Sequence, residues 1–133
     1  MSTLTSFKMA HDKDPAEVIR GEVGDLSTVE VMHNLVLLAV YKRPEKTAGG
    51  IILTPKVQNE EIYQGIVGLV LKVGPGAFRD DGVNKFHGQA VKPGEWVCFR
   101  NSDAHRIAIN GTMCRLIEDS LIRMKVGHPD QAV

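Results

Sequence analysis

Few residues in this chain are placed to do covalent chemistry. Glu60-Glu61 and Asp80-Asp81 are adjacent carboxylates. Neighbours on an extended chain point to opposite faces, so neither pair converges on one proton. His11, His33, His87, His105 and His128 are scattered singly, with no two at a metal-ligand spacing. Cys98 and Cys114 stand 16 positions apart, outside any C-x-x-C pattern, and read as buried, reduced thiols. Gly74-Pro75-Gly76 ends an apolar run, but Arg79 occupies the third glycine position of a dinucleotide fingerprint and no helical pattern follows. The reading there is a strand-end turn. These residues predict no catalytic site, no metal and no cofactor.

Binding remains. Ile51, Ile52 and Leu53 follow directly on Gly49 and Gly50, inside a segment whose flanks are polar and contain proline. The trio has two readings: a short buried strand after a glycine turn, or an apolar anchor on an arm that needs a partner. Residues 43–64 and 77–90 are both longer than an ordinary connection, and long loops in compact domains carry function or lack order. In the second loop Asp81-Gly82 is a two-residue hairpin signal. Phe78 and Phe86 flank it symmetrically, either as an aromatic pair across the hairpin or as a contact for another protein.

The framework that must hold these loops is an ordinary one. The chain has 133 residues, 16 Lys+Arg against 16 Asp+Glu, 43% apolar and 24% charged residues, the profile of one globular domain. That length supports a core without disulfide or metal staples. Zero net charge removes the electrostatic footprint needed for nucleic acid or anionic lipid and favours self-association. The longest apolar runs, residues 34–41 and 66–73, fall far short of the ~20 residues that cross a bilayer. Residues 1–30 carry Lys8, Lys13 and Arg20 against six acids, unlike a targeting segment. A cytoplasmic protein is expected.

Asp14-Pro15-Ala16-Glu17 supplies an N-cap, a first-turn proline and an acid, and predicts a short helix at 15–20 that stops at Gly21. Too short to persist alone, it must dock or fray. From Met32 the pattern turns to β-type runs: 33–42, 65–73, 96–100, 105–109, 112–116 and 121–126. The first is apolar almost throughout, as when both faces are covered. Pro93-Gly94 is ordered for a type II turn, and Asn110-Gly111 for a two-residue hairpin. The expectation is an all-β fold, a small and partly open antiparallel barrel over 32–126. An N-terminal extension, 1–31, precedes it and a flexible tail, 127–133, follows.

Several motifs in order resemble one family. K-T-A-G-G-I-I-L-T, residues 46–54, resembles the mobile loop of the 10-kDa chaperonins, the GroES type of co-chaperonin. Residues 33–42 are similar to that family's first barrel strand, and 68–76 to its G-x-V-x-x-V-G-x-G run. Residues 91–97 resemble its V-K-x-G-D-x-V turn and strand, and 116–122 its closing E-S-D-I-L segment. The resemblance covers about residues 32–126.

It implies a homo-oligomer, a heptameric ring of β-barrels that caps an ATP-dependent 60-kDa-type chaperonin and encloses unfolded client proteins. Ile51, Ile52 and Leu53 would be the tripeptide that enters the chaperonin's apical domains, and Gly49 and Gly50 the loop hinge. Phe78, Asp81, Gly82 and Phe86 would belong to a roof hairpin. The family's subunit pairing would place residues 33–41 and 121–126 at the ring seam. The chain departs from the family in lacking its R-P-x-x-D-R start, in carrying 14 residues between Leu53 and Gly68, and in its extension. The longer arm resembles that of phage-encoded members. The same barrel reused as a ring-forming structural or scaffold protein of a virion is the alternative.

Overall fold

Alternating aliphatic and β-branched runs, each closed by glycine, proline or asparagine, produce six strands: β1 Leu35–Val40, β2 Val67–Val73, β3 Trp96–Phe99, β4 His105–Ile109, β5 Thr112–Glu118 and β6 Ile122–Val126. The structure is a computed structural model that describes residues 13–41 and 67–132. The strands form one sheet in the order β4-β5-β1-β2-β3-β6, and every neighbouring pair is antiparallel. The all-β expectation holds. Among the described residues β4 and β6 form the two margins of the sheet, which leaves the barrel open between them.

Turn chemistry sets the registers. Asn110 and Gly111 both take left-handed backbone, φ 51° and 81°, so the β4–β5 hairpin closes with Ile109 opposite Thr112. Gly94 takes φ 95°, and the Glu95 N–H donates to the Lys92 carbonyl at 3.1 Å, the expected type II turn before β3.

Both faces of the sheet are apolar, which explains the unbroken run in β1. Val36, Leu38, Val70, Val97, Phe99 and Ile117 are packed on one face. Leu37, Ala39, Tyr41, Leu69, Trp96, Cys98 and Cys114 lie on the other. Helix α1, Pro15–Val23, covers this second face with Ala16, Ile19 and Val23. Asp14 caps α1 by accepting from the Ala16 N–H at 3.1 Å. The helix passes through Gly21, the expected stop, and ends at Gly24 (φ 70°), whose N–H reaches the Arg20 carbonyl at 3.0 Å. Docking supplies what the short helix lacks alone, and it gains one more turn on the sheet.

Two further expectations need correction. Residues 33–41 were assigned by resemblance to a seam between subunits, but β1 is paired on one side with β2 and on the other with β5. No edge of β1 is left for a neighbour; only the 121–126 half of that assignment lies on a margin. At the other end, residues 127–132 do not trail from the sheet. Pro129–Ala132 forms a 3-10 turn with Pro129 buried, and the Tyr41 hydroxyl donates to Asp130. No helix among the described residues is long and apolar enough to cross a membrane.

Candidate functional site

The trio Ile51, Ile52 and Leu53, with Gly49 and Gly50, lies outside the described residues, so the sequence alone speaks for it. The second long loop is described, and its shape begins at the Gly74-Pro75-Gly76 turn. The Gly74 N–H donates to the Leu35 carbonyl at 2.8 Å and the Gly76 N–H to the His33 carbonyl at 2.8 Å, so the end of β2 lies hard against the entry to β1. His33 and Phe78, on either side of this crossing, both adopt left-handed backbone at φ 55° and 60°. A bulky residue holds that conformation only where its surroundings enforce it.

Asp119 ties Phe78 on one side of the crossing to Asn34, the neighbour of His33, on the other. It is 4% exposed. Its Oδ2 accepts from the Phe78 N–H at 2.8 Å, and its Oδ1 from the Asn34 side-chain amide at 3.2 Å and the Ser120 N–H at 2.7 Å. Its own N–H donates to the Asn34 carbonyl at 3.0 Å. One carboxylate thereby joins the second loop, the entry to β1 and the turn before β6. In the sequence residues 118–120 fall between the β-type runs 112–116 and 121–126 and carry no signal of a buried junction. The three partners lie 1, 41 and 85 positions away, and no local pattern announces such a junction. Replacing Asp119 by Ala orphans these donors and lowers stability by about 2 to 3 kcal/mol, read as a lower urea midpoint at unchanged slope.

Beyond Phe78 the loop has no strand ladder, so the expected hairpin is an irregular loop. Phe78 and Phe86 do meet, edge to face, with ring centroids 5.5 Å apart. Asp81 Oδ1 accepts from the Val83 and Asn84 N–H groups at 2.7 and 2.6 Å, and Asp80 Oδ1 from the Phe86 N–H at 2.7 Å. The Asn84 and Val83 N–H groups hold the exposed Asp81 carboxyl below its ordinary pKa. Left-handed turn backbone falls at His87 (φ 55°) and Gly88 (φ 81°), where the Gln89 N–H closes on the Phe86 carbonyl at 2.9 Å. Asp81 therefore acts as a side-chain clamp, which outcompetes the Asp-Gly turn that its sequence suggests.

The loop and β6 enclose a groove of about 590 Å³ lined by Phe78, Phe86, Lys85, Arg123, Met124 and Lys125. Four cations, Lys85, Lys92, Arg123 and Lys125, line it beside the buried Asp119, and among the described residues that line it no nucleophile is paired with a base. Burial raises the thiols of Cys98 and Cys114 above their ordinary value, which keeps them protonated and inert. Among the described residues no group of three or more His, Cys, Asp or Glu side chains is placed to hold a metal.

Arg115 is a second residue that sequence reading passed over. It is fully buried on β5, opposite Leu38 and Arg106. Its Nη1 donates to the Cys114 carbonyl at 3.0 Å and its Nε reaches Asn101 Oδ1 at 3.4 Å. Burial, and then the neighbouring Arg106 charge, push its guanidinium below the usual value.

A family model described as "Chaperonin 10 Kd subunit" matches residues 28–126. The chain is 36% identical over 89 residues to a protein named "Co-chaperonin GroES" from Pelagibacter ubique, covering 67% of this chain and 86% of that one. It is 33% identical over 89 residues to a "Co-chaperonin GroES" from Parvibaculum lavamentivorans, covering 67% and 79% respectively. With "Co-chaperonin GroES 2" from Mesorhizobium japonicum it shares 31% identity over 93 residues, 70% of this chain and 84% of the relative.

Proposed function

We infer the function from one premise: this chain belongs to the chaperonin 10-kDa subunit family. It works as a co-chaperonin with a GroEL-type chaperonin as its partner. In this reading the subunits form a ring, heptameric as in the family, that caps the chaperonin and closes a chamber around unfolded protein. Ile51, Ile52 and Leu53 are the anchor, Gly49 and Gly50 the hinge beside it, and the 78–88 loop the roof. The nucleotide is bound and hydrolysed by the partner, and this chain contributes no covalent chemistry.

The observation that carries the reading is the trio of aliphatic side chains behind a double glycine, inside the stretch that the family model matches. Two features of the fold support it. The sheet margins β4 and β6 carry backbone groups that an assembled ring can pair or cover. The buried free thiols Cys98 and Cys114 suit a reducing compartment, the cytoplasm.

The test mixes the purified protein with a GroEL-type chaperonin and ATP and images the products by electron microscopy. Capped chaperonin rings are expected with ATP and not without nucleotide. Rings of this chain that never cap the chaperonin would overturn the reading in favour of a structural role.

A further inference from the structure

Helix α1 lies before residue 28, where the family match begins, so the co-chaperonin reading gives it no task. Its placement does. Ala16, Ile19 and Val23 are 5%, 7% and 1% exposed and sit in the same cluster as Leu37, Leu69, Trp96, Cys98 and Cys114. These sheet residues form a broad apolar face that has to be covered. Single-domain proteins rarely leave so large a contiguous apolar patch in water. The chain's one tryptophan is part of it, 6% exposed and edge-on to Tyr41 at 5.6 Å.

The manner of attachment differs from that of the strands. Each strand is laddered to its neighbour by backbone hydrogen bonds. The helix is held through side chains: the three apolar residues, and the Asn110 amide, which donates to the Val23 carbonyl at 2.7 Å and approaches the Asp25 carbonyl at 3.4 Å. Just beyond, Lys72 Nζ donates to the Val29 carbonyl at 2.6 Å and fixes the strap that follows. A nine-residue helix does not persist in water once undocked. Its docking and its folding are therefore one event.

We propose that α1 is a detachable cover. It opens as a unit while the sheet stays laddered, and in its closed state it keeps the Leu37–Leu69–Trp96 face from meeting other apolar surface. The inference concerns residues 14–24 and stands whether or not the chain caps a chaperonin.

Cys98 and Cys114 are the chain's two cysteines, both free, buried and in the same apolar cluster as Ala16, Ile19 and Val23 of α1, so opening of the cover is expected to raise their reactivity. The experiment follows the reaction of the native, full-length protein with an aromatic disulfide reagent over a series of low urea concentrations. Far-UV circular dichroism measures global unfolding in parallel. Thiol reaction is expected to proceed through an opening whose urea dependence is much shallower than that of global unfolding, because little surface is exposed.

Ile19→Ala removes the central contact of the cover. It is expected to accelerate thiol reaction about thirty-fold or more in the absence of urea, while the sheet signal is retained. A thiol reaction with the full urea dependence of global unfolding overturns the proposal. So does an Ile19→Ala variant whose labelling accelerates only in step with loss of the sheet signal.

Discussion

On the proposed function, Ile52→Asp is expected to leave assembly of this chain intact and to lower its nucleotide-dependent capture by a chaperonin at least 100-fold. The argument is a balance of two terms. Burying three aliphatic side chains contributes roughly 5 to 8 kcal/mol, while ordering ten to fifteen residues around them costs about 1 kcal/mol or more apiece. On the proposed reading one arm would therefore bind feebly by itself, and firm capture would come from several arms on one ring acting at high effective concentration. A substitution that weakens every arm would then be multiplied across the ring. Aspartate does more than delete a contact, because it must enter an apolar cleft as an unpaired charge or stay out. Co-sedimentation with the chaperonin and ATP, next to size measurement of the free protein, separates lost capture from lost assembly. Undiminished capture by the variant would refute the assignment of the trio as anchor.

Gly74→Ala is expected to be the most damaging small substitution in the sheet, lowering stability by about 3 kcal/mol. A Cβ at that position would stand 2.4 Å from the His33 carbonyl oxygen, 2.9 Å from that of Met32 and 3.0 Å from that of Leu35. All three are backbone atoms and cannot rotate away. Relief requires β2 and the entry to β1 to separate, which breaks the 2.8 Å bond from the Gly74 N–H to Leu35. Gly82→Ala is the control: nothing lies within 4 Å of its added carbon, so its stability should change by no more than about 0.5 kcal/mol. Urea melts of the two variants decide the matter, and equal midpoints would show that the crossing is looser than its geometry implies.

Local features were the legible ones. The Asn110-Gly111 hairpin, the Pro93-Gly94 turn and the start of α1 each depend on a few consecutive residues, and each falls where the residue types put it. The covered faces of β1 were readable from its unbroken apolar run, although what covers them was not. Pairing partners were less accessible. That β1 is central follows from β5 lying beside it in register Leu35↔Glu118, a relation between residues more than eighty positions apart. Asp119 belongs to the same class, since its worth comes from Asn34 and Phe78. Asp81-Gly82 misled for a different reason: the carboxylate had two nearby N–H groups to accept from, and that local bond outweighed the turn preference of the pair. The candidate anchor is legible in the sequence alone, as a greasy trio between Gly49-Gly50 and Thr54-Pro55.

The central place of β1 also bears on how the chain is made. Its second partner, Thr112–Glu118, follows β1 by more than seventy residues, so β1 stays half-paired until that stretch has been synthesised. Pairings this distant in sequence close slowly, and a nascent chain with Leu37 and Leu38 uncovered is a target for aggregation. α1 precedes β1 in the chain and is therefore already made during that interval, available to cover it.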